Sequence, residues 1–189
     1  MASLGHVAVG MAAGRLWTMG APPGAAGRGL ATLARAMVAF GALSLAPDLD
    51  VIAFRFGIPY AAPFGHRGAA HSLCVAVALA VVAAAAMRLA PDQVEAGQTR
   101  FRLWLLCAAV AVSHGLLDTL TDGGLGIALL WPFSNERYFA PWTPIPVAPI
   151  GARMFITARG LRVATIEALQ FAPLLVWAVW PRRRPGYPS

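Results

Sequence analysis

The sixteen residues from Leu73 to Arg88 carry no charge before the closing arginine. A run of that length and purity has no polar face to turn toward water, so it suits a bilayer better than the surface of a soluble domain. Similar apolar segments recur along the chain. Helices are expected over residues 3–18, about 31–46, 72–90, about 102–120 and about 163–180, the first barely long enough to cross. With 58% hydrophobic residues and a mean hydropathy of +0.64, the chain reads as all-α, a single integral membrane domain over 1–189 built as a bundle of about four to five transmembrane helices. A core of about 1–135 is followed by a loop and last helix over about 136–181.

The connections carry their own signals. Gly10 and Gly14 lie four apart, which lets another helix approach closely within a bilayer. Residues 19–30 are a Pro/Gly-rich link, and Pro47 is expected to stop the second helix. Residues 51–65, with Pro59, Pro63 and the aromatics Phe54, Phe56, Tyr60 and Phe64, suggest an irregular interfacial segment. Residues 91–100 read as a polar loop and 125–133 as a re-entrant or interfacial piece too short to cross. Trp131-Pro132-Phe133 reads as an interface anchor, and Trp177, Trp180 and Arg182-Arg183-Arg184 as a closing belt and basic stop. Met1 to Gly5 has no positive charge, and the apolar stretch after it holds His6 and Arg15, so a retained N-terminus is expected.

The net charge of +7 comes from fifteen basic residues, all of them arginine. They are scattered among the connections and form no stripe with interleaved aromatics, which favours membrane lipid headgroups over nucleic acid as partners. Cys74 and Cys107 sit among Val, Ala and Leu and read as small apolar residues, with neither a disulfide nor a cysteine metal site expected.

Against this background the four histidines stand out. His66-Arg67-Gly68-Ala69-Ala70-His71-Ser72 opens directly into the pure apolar run, and His6 and His114 lie beside other apolar segments, as do Asp48, Asp50, Asp118 and Asp122. Such groups cost several kcal/mol each to bury unless they are paired or bind a metal. Alternating crossings bring the start of the first and third helices and the end of the second and fourth to one face. All four histidines and these aspartates then converge there. His114 and Asp118, four apart, share a helix face and can hold one ion together. His66 and His71, five apart, meet only if Gly68 bends the chain. Of Asp48 and Asp50, one is expected to ligate while the other bridges or acts as base.

Each residue alone has a plainer reading. A histidine near a helix end is ordinarily an interfacial or capping residue, and Asp122, flanked by a glycine, is a turn residue. Arg67 can contact a headgroup, pair with an aspartate or take part in catalysis. The joint arrival of every histidine at one surface is what favours a metal site.

The ordered set Gly5-His6, Pro47-Asp48-Leu49-Asp50, His66-Arg67-Gly68 with His71-Ser72, Ser113-His114 with Asp118, and Trp131-Pro132-Phe133 resembles the YdjM-like family. That family is also described as LexA-regulated, membrane-bound metal-dependent hydrolases, and it is distantly similar to the zinc phospholipase C and single-strand-specific nuclease group. The resemblance covers roughly residues 1–135. It implies metal-binding roles for His6, Asp48, His66 or His71, His114 and Asp118, and hydrolysis of a phosphoester. Ala70 stands where the family often has threonine. The later His/Glu ligands of the trinuclear phospholipase site have no counterpart after Asp118, which implies one or two ions instead of three.

The expected metal set is therefore His6, Asp48, Asp50, His66, His71, His114 and Asp118. A His/Asp donor set without cysteine suits zinc, with manganese or iron as alternatives. In a hydrolase, Asp50 or Asp48 would orient or deprotonate water and Arg67 would stabilise charge on the substrate, a lipid or lipid-linked phosphoester given the location. The competing expectation is a metal transporter or sensor without hydrolytic activity, although transporters place ligands near the midplane on broken helices. Arg28, Arg35, Arg88, Arg100, Arg102, Arg182, Arg183 and Arg184 fall on the face opposite the site, against Arg55, Arg67, Arg137, Arg153, Arg159 and Arg162 beside it. The positive-inside rule then points to an outward-facing site.

Overall fold

The computed structural model describes residues 3–20, 29–88 and 100–181. Most of the Pro/Gly link and of the polar loop, together with Arg28, Arg182, Arg183 and Arg184, lies outside the described residues, as does the side chain of Arg88. Helix α1 spans Ser3–Met19, α2 Leu30–Leu45, α3 Leu73–Arg88, α4 Arg100–Thr119, α5 Ala152–Phe155 and α6 Ala158–Val179. Two 3-10 segments, Ala46–Phe56 and Ala69–His71, flank the turns that join α2 to α3. Extended pairing among the described residues is limited to isolated bridges, Thr121 with Ile145 and Ile127 with Tyr138.

Small residues set the packing. A Cβ on Gly10 would lie 2.6 Å from the Gly41 Cα, and one on Gly14 2.6 Å from the Met37 backbone nitrogen, so α1 lies against α2 backbone to backbone. This is the close approach that the glycine spacing predicts. Helix α1 also packs on α4 and α6, and α3 packs on α4. Trp17, Phe40, Leu103 and Val110 fill the core among Ala36, Ala76, Ala80, Ala84 and the free thiol of Cys107. Val38, Val82, Phe101 and Leu169 face outward, as lipid-facing side chains should, because acyl chains replace water there.

Leu30–Phe56, Arg100–Thr119 and Ala158–Val179 are long and apolar enough to cross a membrane, and Leu73–Met87 is a shorter apolar helix. The run that looks purest in the sequence is thus the short one. Its sixteen described residues reach about 24 Å at ~1.5 Å each, below the ~30 Å hydrocarbon core.

Helix α2 ends at Leu45, two residues before Pro47, as expected. The irregular stretch expected over 51–65 begins later than that: Pro47 enters the first turn of the 3-10 segment, where its missing N–H is no loss, and that segment runs on to Phe56 before Gly57, at φ 72°, turns the chain away. The last helix begins at Ala158 instead of Val163, because the Thr157 hydroxyl accepts the Gly160 N–H at 3.2 Å and caps it.

Away from the histidines, polar side chains meet backbone carbonyls. Arg15 donates to the Ala178 and Trp180 oxygens at 3.0 and 2.7 Å and lies over the Trp177 ring, closing the C-terminus of α6. Arg102 donates to the Leu16 oxygen at 2.7 Å.

Candidate metal centre

The two ends of the bundle differ because chain direction alternates. His6 lies in the first turns of α1, Asp48 and Asp50 in the 3-10 segment after α2, His71 just before α3, and His114 and Asp118 in the last turns of α4. All four histidines are at most 2% exposed, Asp48 is 8% exposed and Asp118 is fully buried.

Close backbone contacts make this possible. A Cβ on Gly68 would collide with the Pro63 oxygen, so the bend that brings His66 and His71 together needs glycine there. Their rings stand edge to face, 5.4 Å apart. A Cβ on Gly115 would lie 2.6 Å from the His71 oxygen, so the glycine after His114 lets α4 come up against the His71 turn. Residues 125–133 form turns beneath the same loop. The Ala128 N–H donates to the Arg67 oxygen at 3.1 Å, and the Leu73 N–H to the Leu129 oxygen at 3.0 Å.

His71 is the hub. Its Nε2 lies 3.4 Å from Asp48 Oδ1 and 3.5 Å from Asp118 Oδ2, while its Nδ1 lies 3.1 Å from Asp50 Oδ2. None of these contacts has the alignment of a hydrogen bond, and both ring nitrogens are buried without one. Burial alone would lower the His71 pKa, but the carboxylates of Asp48, Asp50 and Asp118 outweigh it and lift the value to about 9.

Two groups of potential ligand atoms result. Asp48, His71, His114 and Asp118 each turn one donor atom into a space where these atoms lie within 4.8 Å of one another, and Asp50, His66 and His71 do the same. His71 belongs to both. His114 Nδ1 donates to the Ser44 carbonyl at 2.6 Å, since a carbonyl can only accept, and in the neutral ring this leaves the Nε2 lone pair facing inward. Ser44 in turn donates its hydroxyl proton to the His6 oxygen at 2.7 Å, tying α2 to α1. His66 Nδ1 and Asp50 Oδ1 are 2.6 Å apart.

Six of the seven sequence-derived ligands fall in these two groups. His6 stands beside them, its Nε2 3.2 Å from Asp118 Oδ1 and its ring stacked on His114 at 3.9 Å. That is the geometry of a residue that orients a carboxylate. Arg67, at φ 63°, pairs with an aspartate. Its Nε is 3.5 Å from Asp118 Oδ2, its backbone N–H donates to Asp50 Oδ2 at 3.1 Å, and its Nη1 donates to the Gly123 oxygen at 2.7 Å. Asp122 keeps apart as a turn residue, accepting the Val147 N–H at 2.7 Å.

Two contributors carry no signal in the sequence. Arg137 donates to the carbonyls of His66, Gly126, Tyr60 and Ala62 at 3.1–3.4 Å, so it holds the loop that presents His66. Glu167, buried on α6, accepts the Leu4 N–H at 2.7 Å and fixes the start of α1 two residues before His6.

The donor set fits a cation. Three carboxylates, Asp48, Asp50 and Asp118, share the space with one arginine, and both oxygens of Asp48 and the Nε2 of His114 are buried without a hydrogen bond. Buried acceptors crowded in this way cost several kcal/mol unless a positive charge or protons fill the gap between them. The structure thus has buried His/Asp groups that can hold a metal ion.

The chain matches the family described as YdjM inner membrane protein over residues 1–183, so the match continues through the last helix. It is similar to inner membrane protein YbcI of Escherichia coli (strain K12), with 40% identity over 145 residues that cover 75% of this chain and 81% of that protein. No solved structure matches it. Apolar spans, a helical bundle and a family match over almost the whole length agree: the chain belongs to the YdjM inner membrane protein family and is itself an inner membrane protein.

Proposed function

We propose that this protein is a metal-dependent hydrolase of the inner membrane that cleaves a phosphoester. The observation that carries the reading is the Asp48 carboxylate, buried with both oxygens unbonded and facing the unbonded nitrogens of His71 and His114. Asp48, His71, His114 and Asp118 would hold a first ion and Asp50, His66 and His71 a second. Zinc is the preferred metal, because nitrogen and carboxylate donors without thiolate suit it. A bound divalent ion supplies Lewis acidity and lowers the pKa of water toward neutrality.

The chain's own groups divide the remaining work. Asp50, held by His66 at 2.6 Å, would accept the proton of the attacking water and release it to solvent in the cavity that adjoins His66. Arg67 Nη2, buried and without a hydrogen bond, is free to bond a phosphoryl oxygen. His6 would keep Asp118 oriented.

The test is turnover by the purified full chain in detergent, with elemental analysis alongside, on a phosphodiester and a phosphomonoester reporter. The proposal expects metal-dependent hydrolysis that Asp50→Asn abolishes while the first ion, held by Asp48, His71, His114 and Asp118, is retained. Metal-loaded protein that hydrolyses neither reporter but moves the ion into vesicles would favour the transporter reading instead.

A further inference from the structure

Next to the metal centre lies a cavity of about 230 Å³ bordered by His66 and Arg67 on its inner side and by Val147, Ile150, Met154 and Arg159 on its outer side. Its features are chemically unlike one another. Inside, Arg67 is completely buried, and its Nη2 has no hydrogen bond. A buried guanidinium nitrogen left unbonded is costly, and an anionic oxygen is the acceptor that best relieves it. At the mouth, Arg159 is exposed on the first turn of α6. It also lines a second cavity of about 380 Å³, which shares Val147 with the first and holds Arg162. Beside the arginines the surface turns apolar: Ile150 is 40% exposed, Met154 47% and Ile156 78%. The site face of the bundle lies at a membrane surface, so these side chains meet the headgroup and upper acyl region.

We propose that this cavity is a subsite for the phosphate head of a membrane amphiphile, with Arg67 and Arg159 holding the phosphate and the acyl part leaving along Ile150 and Met154. The proposal takes the hydrolase reading as its starting point and names the substrate class. Volume decides how much of the molecule enters. About 230 Å³ is below the ~300 Å³ of a drug-sized pocket, so the head fits and the tails stay outside. Gly124 preserves the space, because a Cβ there would lie 2.9 Å from Arg67 Nη1 and 2.7 Å from the Tyr60 hydroxyl. Charge and shape thus point to a lipid phosphate instead of a free one, since a free phosphate would gain nothing from the apolar lip.

The experiment is calorimetric binding to the full chain in detergent of three probes: dihexanoyl phosphatidic acid, inorganic phosphate and dihexanoylglycerol. The expected order is phosphatidic acid tighter than either of the others by ~10-fold or more. Arg159→Gln should weaken phosphatidic acid ~10-fold, the cost of one charge-assisted hydrogen bond, and Arg159→Lys by less. Met154→Gln, which removes the apolar contact without adding charge, should weaken phosphatidic acid without weakening inorganic phosphate. Both positions are exposed, so neither variant threatens the fold. Phosphatidic acid binding unchanged by Arg159→Gln would overturn the subsite. Inorganic phosphate or dihexanoylglycerol binding as tightly as phosphatidic acid would overturn the lipid phosphate. Arg159-dependent binding without hydrolysis would leave the subsite standing and end the hydrolase reading. Hydrolysis with KM unaltered in Arg159→Gln would do the reverse.

Discussion

The two ends of the bundle handle polar side chains differently. At the end where α6 finishes, Arg15 and Arg102 donate to the carbonyls of Ala178, Trp180 and Leu16, and the Thr18 hydroxyl donates to the Gly14 and Arg15 oxygens. Every one of these bonds closes a helix end or a turn of backbone. At the other end backbone carbonyls still serve Ser44, Arg67, His114 and Arg137, but histidines and aspartates also face one another, and Asp48, His71 and His114 keep buried atoms without hydrogen bonds. The first arrangement stabilises a bundle whose helices satisfy their own backbones. The second is costly for stability and is what a binding site retains. The groups that close backbone ends and the groups that can hold a metal ion thus lie at opposite ends of the same helices.

That division can be broken from either side. The largest effect is expected from His71→Ala, which removes the residue shared by both ligand groups. Metal affinity measured by chelator competition should fall more than ~100-fold, beyond the 10–100-fold typical of an outer partner, with the melting temperature of the metal-free protein not lowered in proportion. An equal collapse of both would mean that His71 is a packing residue.

The pH dependence sharpens the same contrast. The His71 pKa is raised to about 9 in the metal-free site, and a metal needs the neutral ring, so binding displaces a proton. Apparent affinity should rise about tenfold per pH unit until roughly pH 9. The sign for the metal-free fold is reversed. A raised folded-state pKa contributes stability that is present below about 6.5 and lost as pH rises through about 9, so chelated protein should melt progressively lower across that window. A flat melting profile would show that the carboxylates do not hold His71 charged.

At the packing interface, Gly14→Leu should cost ~1–3 kcal/mol by forcing α1 away from Met37. The protein that remains folded should bind metal with unaltered affinity. The smallest effect is Asp122→Ala. It loses one hydrogen bond to Val147, about 1 kcal/mol, and should leave metal content untouched.

Much of this was legible in the sequence. Hydropathy located the helices, and alternating direction alone brought His6, Asp48, His71, His114 and Asp118 to one end, because a membrane permits few other topologies. Gly10 and Gly14 announced the α1–α2 contact. What stayed hidden depends on contacts remote in sequence. Arg137 reaches His66, Tyr60 and Ala62 across more than seventy residues, and nothing near it marks it out from the other arginines. Glu167 looks like an isolated charge in an apolar helix until Leu4 is seen to donate to it. The stop of α2 at Leu45 follows from Pro47, but the 3-10 segment after it does not show in the sequence, because proline breaks a helix from within and also starts one readily. Whether Asp48 or Asp50 ligates was open in the sequence because both flank Leu49. The unbonded oxygens of Asp48 and the His66 contact of Asp50 give the two carboxylates different surroundings.

The central claim, that the His/Asp end of the bundle holds a divalent ion, is tested most directly by elemental analysis of the full chain purified without chelator, with His114→Ala, Asp118→Ala and Asp122→Ala prepared in parallel. The account predicts one or two ions per chain, zinc foremost, in the unaltered protein and in Asp122→Ala. It predicts loss of metal in His114→Ala and Asp118→Ala while both remain folded in the membrane. Full metal content in both of those variants, or equal loss in Asp122→Ala, would contradict it.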